Sequence, residues 1–353
     1  MENTGKEGES LGKETFKGVF KISVAPMMDW TDRHCRYFLR GFSPHTLLYT
    51  EMITAHAILR GDTTRLLTFD PAEHPVALQL GGNDPRILAE AARAGEAAGY
   101  DEINLNCGCP SDKVIGGSFG ACLMRQPALV ADCVAAMKAA VRLPVTVKMR
   151  IGVVTGGEPD TQTATAQFDE QDAERLHHFV QSVRGAGCDV AIVHARKAVL
   201  GGLSPKENRE VPPLRYDVVR RLKKSFPGLP LVVNGGFRDT RAVLEALEWS
   251  DGVMLGREAY HRPAVLAELE QALYAEKQAS SPSPEALLDR MADYADREVA
   301  KGERLHSITR HMLGLYAGEA GARDYRRRLS EGVRVPGASP EIIRTAKVSR
   351  ASL

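Results

Sequence analysis

Short runs of β-branched and aliphatic residues recur along residues 20–257, each closing on polar or glycine-rich positions. They are Phe20–Ala25, Thr46–Thr50, Val76–Leu80, Glu102–Leu105, Val145–Met149, Asp189–Val193, Leu231–Val233 and Gly252–Leu255. Between most of them lie stretches of helical composition: Pro85–Ala98, Gln126–Val141, Asp169–Arg184, Leu214–Ser225 and the shorter Thr240–Glu248. Strand–helix alternation predicts parallel strands joined by right-handed crossovers. Eight such units over this length fit an α/β fold, the (β/α)8 TIM barrel, which typically takes about 250 residues. An open doubly wound sheet is the competing arrangement, but no G-x-G-x-x-G follows the first strand.

The pattern changes after His261. Ala264–Glu276 reads helical, S-S-P-S-P at 280–284 breaks it, and Glu285–Lys301, His306–Ala317 and Ala322–Leu329 follow. A small C-terminal helical domain is therefore expected over 263–335, after a barrel over 18–262. Residues 1–17 are polar, without an apolar signal-like core, and read as a flexible tail; 336–353 reads as a second tail. Inside the barrel, 153–167 (V-V-T-G-G-E-P-D-T-Q-T-A-T-A-Q) has no amphipathic period and is expected to be a mobile loop.

The composition, 43% hydrophobic and 26% charged over 353 residues, is that of a soluble globular chain. No run of eighteen apolar residues occurs, which argues against a membrane span. The six cysteines form no secreted-type framework, so reduced thiols in a cytoplasmic protein, read as a monomer, fit best. Two of them stand in N-L-N-C-G-C-P-S-D-K (104–113). C-x-C is tighter than the usual zinc-ligand pairs and no partner pair exists, so no metal is expected. The net charge of +1 decides nothing, but its distribution is uneven. Pro263–Ala300 holds three Lys/Arg against eight Asp/Glu, whereas 301–353 holds eleven against five, densest at A-R-D-Y-R-R-R-L (322–329). Taken alone, such a run is most often a solvated helix face.

Catalytic groups of barrels sit at the C-terminal ends of the strands. Here those ends carry A-P-M-M-D (25–29), Glu51, Gln79, N-x-N-C-G-C-P, Lys148 with Arg150, H-A-R (194–196), N-G-G (234–236) and G-R (256–257). Glycine-rich turns after the last two strands suit a phosphate, to which Arg257 can add a charge-assisted contact. Tight turns alone would also explain either one. A lysine at the end of a buried strand is costly unless it meets an anion. A phosphorylated cofactor that turns anionic on reduction satisfies both sites, and flavin mononucleotide (FMN) fits. Its phosphate would take N-G-G and G-R, Lys148 the N1–C2 edge, Gln79 the pyrimidine edge, and Met27 and Met28 the apolar part. His194 would bond the ring or the phosphate, unless it is a satisfied core histidine.

The segments V-A-P-M-M-D-W-T-D-R-H-C-R, L-Q-L-G-G, N-L-N-C-G-C-P-S-D-K, V-K-M-R-I-G, H-A-R-K-A-V-L-G-G-L-S-P-K-E-N-R and D-G-V-M-L-G-R-E-A-Y closely resemble the tRNA-dihydrouridine synthases, A-type subfamily. The resemblance covers about residues 20–335, including H-M-L-G-L-Y-A-G and G-A-R-D-Y-R-R-R-L near the C-terminus. It implies an FMN barrel with a helical tRNA-binding domain, reducing D-loop uridines to 5,6-dihydrouridine at the expense of NADPH. By position it assigns the catalytic cysteine to Cys109. It assigns the flavin contacts to Pro26, Met27, Met28, Gln79, Lys148, His194, Asn234, Gly235, Gly236, Gly256 and Arg257. The tRNA-facing residues become Asn106, Lys206 and Arg209, with Arg323, Arg326 and Arg327 on the C-terminal domain. Two departures stand out: Cys107 occupies a position usually aliphatic in the family, and the 153–167 insert is longer than expected.

The implied chemistry is hydride transfer from N5 of reduced FMN to uracil C6, followed by protonation of C5 by Cys109. An ordinary thiol, with a reference pKa of about 8.5, holds its proton at neutral pH. Cys107, at the alternating position, is expected to pack. The target base must leave the RNA interior, at a cost of a few kcal/mol that a basic domain gripping the backbone can offset. An FMN barrel acting on a small molecule shares the cofactor site but leaves the basic C-terminal domain without a role. A non-catalytic RNA-binding protein leaves Lys148, Gln79 and Cys109 unexplained.

Overall fold

The computed structural model describes residues 19–111, 117–156, 161–274 and 282–348; the expected tail over 1–17 lies outside them. Eight parallel strands close into a barrel: β1 (Ile22–Val24), β2 (Leu47–Thr54), β3 (Val76–Gly81), β4 (Glu102–Cys107), β5 (Val145–Arg150), β7 (Val190–His194), β9 (Leu231–Asn234) and β10 (Gly252–Leu255). The order β1-β10-β9-β7-β5-β4-β3-β2 is that of a (β/α)8 barrel, with helices such as Pro85–Ala98 and Pro127–Ala140 on the crossovers. Asp84, Asp169 and Asp239 start three of those helices by accepting first-turn backbone N–H groups.

Alternation along the strands divides the core in two. Outward positions join one apolar cluster with the surrounding helices. Inward positions form a second, smaller cluster that includes Ala25, Leu47, Val190, Ile192, Val232 and Met254. Most inward positions of β3, β4 and β5 are instead polar: Gln79, Glu102, Asn104, Asn106, Thr146 and Lys148, with Ala77 of β3 in the apolar cluster. The barrel interior is thus apolar on one side and a polar column on the other.

Two expectations are corrected. The described part of 153–167 is ordered secondary structure, comprising β6 (Val153–Thr155) and the helix Thr161–Ala166; residues 157–160 are not described. β6 pairs in parallel with β8 (Ala198–Leu200) as a two-stranded sheet beyond the ends of β5 and β7. Lys197 anchors the following helix by donating to the Ala164 carbonyl at 2.7 Å and pairing with Asp172. The strand's partner lies far along the chain, so local periodicity could not show it. The second correction concerns 336–353. Glu341–Thr345 is a helix with Ile343 buried, and Arg344 pairs with Asp293 at 2.6 Å and Asp296 at 2.9 Å on the helix Pro284–Ala300.

The C-terminal helices share the outer core cluster with the barrel. The helix Arg33–Arg40 is the main seam: Tyr37 stacks on Tyr294 with ring centroids 3.9 Å apart, and Arg33 pairs with Glu298 and Glu303. His311, buried, bridges Asp32 at 2.9 Å and the Tyr260 hydroxyl at 3.2 Å. The expected helix over 306–317 is cut to Leu305–Thr309. Turns follow it, and among them Gly314 packs against the Tyr260 and His261 carbonyls where a side chain would clash.

Candidate active site

The loop after β4 carries Cys109, half-buried, its Sγ 3.4 Å from the Ser111 hydroxyl. Its backbone is held from below. Asn106 Oδ1 accepts the N–H of Gly108 at 3.1 Å and of Cys109 at 3.0 Å, while its Nδ2 donates to Gln79 Oε1 at 2.7 Å. Asn106 is buried, its oxygen accepting two backbone N–H groups and one Nδ2 hydrogen given to Gln79; the other Nδ2 hydrogen is donated to no described residue. Cys107 points the opposite way into the outer core, near Cys133 and Cys188, where burial pushes its thiol well up. One thiol of the C-x-C pair packs and the other reaches the mouth, as the strand's alternation requires.

Beside Cys109 the barrel end is strongly cationic. Lys148 projects inward from β5 and has neither an ion pair nor a hydrogen bond among the described residues. Burial, then Arg150, pulls its ammonium down to about 7, with Cys109 acting in the opposite sense. Among the described residues Arg150, 4% exposed, donates only to carbonyl oxygens: Gly108 at 3.2 Å, Asn208 at 3.0 Å and Lys197 at 3.4 Å. Burial chiefly, with repulsion from Arg209 and Arg196 and opposed by Cys109, brings it down to about 9. His194, at the end of β7, is held well below its ordinary value by burial and by Arg150, Lys148, Arg196 and Arg209. It is neutral at physiological pH, and its ring makes no hydrogen bond within the described residues. Two cations without a carboxylate partner among the described residues, Arg150 buried and Lys148 half-buried, form with a neutral imidazole a site suited to an anion.

The glycines of N-G-G are required where they stand. Gly235 has φ +117°, and a Cβ there would lie 2.6 Å from His194 Cδ2; Gly236 has φ +78° and faces Leu214 and the Tyr216 hydroxyl. Asn234 fixes this turn by donating to the Met254 carbonyl at 2.8 Å. A Cβ on Gly256 would meet nothing within 4 Å, so open space lies over the neighbouring turn. Arg257 pairs with Glu210 at 2.5 Å and reaches the Arg209 carbonyl at 3.5 Å. Pro26 and Met27 are half-buried in the loop after β1, and Met28 is 57% exposed. Gln79 lies deep, with Nε2 donating to Asn104 Oδ1 at 2.7 Å. Its second Nε2 hydrogen is donated to no described residue. These features fit FMN: an unpaired lysine for an electron-rich ring, an amide N–H for a ring carbonyl, and a glycine turn with space beside it for a phosphate.

Lys206 and Arg209 are exposed on the loop after β8. Arg323, Arg326 and Arg327 lie exposed on the helix Ala322–Gly332, whose Ala322, Tyr325 and Leu329 face inward. Arg327 and Arg328 both pair with Asp324 at 2.6 Å, whereas Arg323 and Arg326 make no ion pair among the described residues. The sequence reading missed Asn104, Thr146 and Glu102, although polar residues at every second position of E-I-N-L-N were a visible signal. Glu210 gave none, because its pairing with Arg257 depends on the fold.

Comparisons with known proteins identify the family. The profile described as dihydrouridine synthase (Dus) matches residues 23–350. The chain is 53% identical over 326 residues to a tRNA-dihydrouridine(20/20a) synthase of Xanthomonas campestris pv. campestris, covering 92% of each chain. It is 54% identical over 313 residues to the protein of that name from Pseudomonas aeruginosa, covering 89% of this chain and 90% of the relative. With the Escherichia coli K12 protein of that name it shares 50% over 328 residues, covering 92% and 90%. With a cationic mouth beside a presented thiol and a match along nearly its whole length, the chain belongs to the dihydrouridine synthase family.

Proposed function

We propose that this protein binds FMN in the barrel mouth and reduces uridines of the tRNA D-loop to 5,6-dihydrouridine, with NADPH as reductant. The target positions are 20 and 20a, the ones its relatives' names carry. The observation that carries the reading is the juxtaposition of Cys109, presented by Asn106, with the carboxylate-free cations Lys148 and Arg150. When bound, reduced flavin supplies the hydride that saturates the C5=C6 bond of uracil.

The chain supplies the rest. Lys148 holds the electron-rich edge of the ring, Gln79 donates its free N–H to a ring carbonyl, and Asn234, Gly235, Gly236, Gly256 and Arg257 form the phosphate turn. His194, kept neutral, bonds the cofactor without adding charge. Pro26, Met27 and Met28 cover the apolar side. Cys109 gives its proton to C5 of the base, a contribution of roughly 10²–10⁴-fold for a positioned general acid. Lys206 and Arg209, near the mouth, and Arg323, Arg326 and Arg327 on the 263–335 region grip the tRNA backbone while the base is withdrawn from the RNA. The protein acts in the cytoplasm, where tRNA is modified; no helix of the described residues is long and apolar enough to cross a membrane.

The test is nucleoside mass spectrometry after incubating the purified protein with unmodified tRNA and NADPH. Dihydrouridine at 20 and 20a is expected, and fragment mapping of the same sample gives the positions. A yellow, NADPH-reducible protein yielding no dihydrouridine on well-folded tRNA would move the assignment to a small-molecule substrate.

A further inference from the structure

The polar column inside the barrel has a direction. At its top, the N–H groups of Gly108 and Cys109 can only donate, so the atom of Asn106 facing them is its oxygen. That turns the Asn106 NH2 to Gln79 Oε1, the Gln79 NH2 to Asn104 Oδ1, and the Asn104 NH2 to Thr146 Oγ1 at 2.8 Å. The Thr146 hydroxyl, already accepting, must donate its one proton onward, and it does so to Glu102 Oε1 at 2.5 Å. Tyr49 donates to the same oxygen. Every step runs from the mouth to the floor and ends on one acceptor.

We propose that Glu102 is a remote positioning residue for the reaction. Its Oε1 terminates the column Thr146–Asn104–Gln79–Asn106, holding at the floor the direction that the loop N–H groups set at the mouth, and thereby steadying where Gln79 presents its free N–H and where Cys109 sits. Glu102, Asn104 and Asn106 are the inward positions of β4, and Gln79 and Thr146 stand beside Asn104 in the sheet register. At about 3.3 Å per residue the column climbs roughly 13 Å from Glu102 to Asn106. Without the acceptor, Thr146 is free to donate upward instead, which sets Asn104 against the direction imposed from above. The column works whether or not Glu102 is ionised, since a proton on Oε2 leaves Oε1 accepting. Burial, opposed by the two hydroxyl bonds, brings the carboxyl up to about 7. A small cavity at the barrel floor, lined by Ser23, Tyr49, Glu102 and Val232 among others, borders this carboxyl.

The test compares Glu102→Gln and Thr146→Ser, which keep the acceptor and the relay, with Glu102→Leu and Thr146→Val, which remove them. Side-chain amide hydrogen exchange of Gln79, Asn104 and Asn106 is followed by NMR in the flavin-free full-length chain. Turnover on tRNA and the flavin absorption band are then measured after loading with FMN. The conservative pair should match wild type within about twofold in exchange and kcat. The disruptive pair should speed amide exchange and lower kcat, each on the order of tenfold, with KM for tRNA unchanged and the flavin band displaced. Should Glu102→Leu fail to fold, Thr146→Val carries the comparison. Wild-type exchange and kcat in the disruptive variants would overturn the proposal, and so would a Glu102→Gln variant as impaired as Glu102→Leu. The turnover arm rests on the function proposed above, but the exchange arm does not. A wild type that makes no dihydrouridine yet shows this exchange pattern would sink that function and leave the column standing.

Discussion

Asn106 carries the backbone of Cys109: its side-chain oxygen, near the end of β4, accepts the Cys109 N–H at 3.0 Å. The same oxygen holds Gly108, and Arg150 closes the loop from the other side through the Gly108 carbonyl. The thiol is thus placed by two side chains that need not touch substrate. Asn106→Ala leaves the buried Gln79 oxygen unpaired, worth about 1–3 kcal/mol, and releases the backbone donors of half-buried Gly108 and Cys109, which water can reach. Turnover should fall on the order of tenfold to a hundredfold with tRNA affinity retained, and urea denaturation should show a loss of about 1–3 kcal/mol. Steady-state kinetics and a denaturation curve on the same preparation check both.

Replacement of Cys109 itself should separate differently. Cys109→Ala removes the proton donor but leaves Asn106 with its two backbone partners, since the loop is held through main-chain atoms. Stability and bound flavin are expected to stay at wild-type levels while turnover drops by roughly 10²–10⁴-fold. Single-turnover oxidation of the prereduced enzyme with tRNA reads the chemical step directly. A wild-type rate there would take the acid role away from Cys109.

The barrel was legible because parallel strands buried on both faces read as near-continuous apolar runs, and because its functional groups stand at the polar ends of those runs. Gly252–Leu255 was delimited from sequence as the structure has it, and β4 merely extends further, to Cys107. What escaped depends on contacts distant in the chain. β6 pairs with β8 across the whole connection from β5 to β7, the helix Glu341–Thr345 docks through Arg344 onto Asp293 and Asp296, and Arg257 meets Glu210. Asn106 is the most instructive case. Its place in the motif was evident, but its inward orientation follows from the strand's phase and the register of Gln79, Asn104 and Thr146.

Lys148 makes cofactor binding pH-dependent. In the flavin-free chain burial lowers its ammonium to about 7 from an ordinary 10.5, so above pH 7 it is neutral. An anion seated against it restores the charge, and binding then takes up a proton. FMN affinity should be level below about pH 7 and weaken toward tenfold per pH unit above it. The stability of the flavin-free chain runs the other way. Its unfolded state binds the extra proton between about 7 and 10.5, so the Lys148 contribution rises with pH across that window. Flavin fluorescence quenching from pH 6 to 9 measures the affinity, and Lys148→Met should flatten the profile and weaken binding.

The arginines of the helix Ala322–Gly332 should not contribute equally to tRNA binding. Arg327 and Arg328 share Asp324, and each must give up part of that pair to meet a phosphate. Arg323 and Arg326 are exposed and have no carboxylate partner among the described residues, so their charges are available without that exchange. Each phosphate contact releases condensed counterions, giving a slope of about 0.7–0.9 in log affinity against log salt. Arg323→Ala combined with Arg326→Ala should therefore weaken binding and reduce that slope by roughly 1.4–1.8. Arg327→Ala combined with Arg328→Ala should do less, because Asp324 already neutralises part of the charge those two arginines carry. Filter binding of unmodified tRNA over a salt series measures both pairs. Equal slopes for the double variants and wild type would remove this helix from the RNA interface and leave Lys206 and Arg209 to carry it.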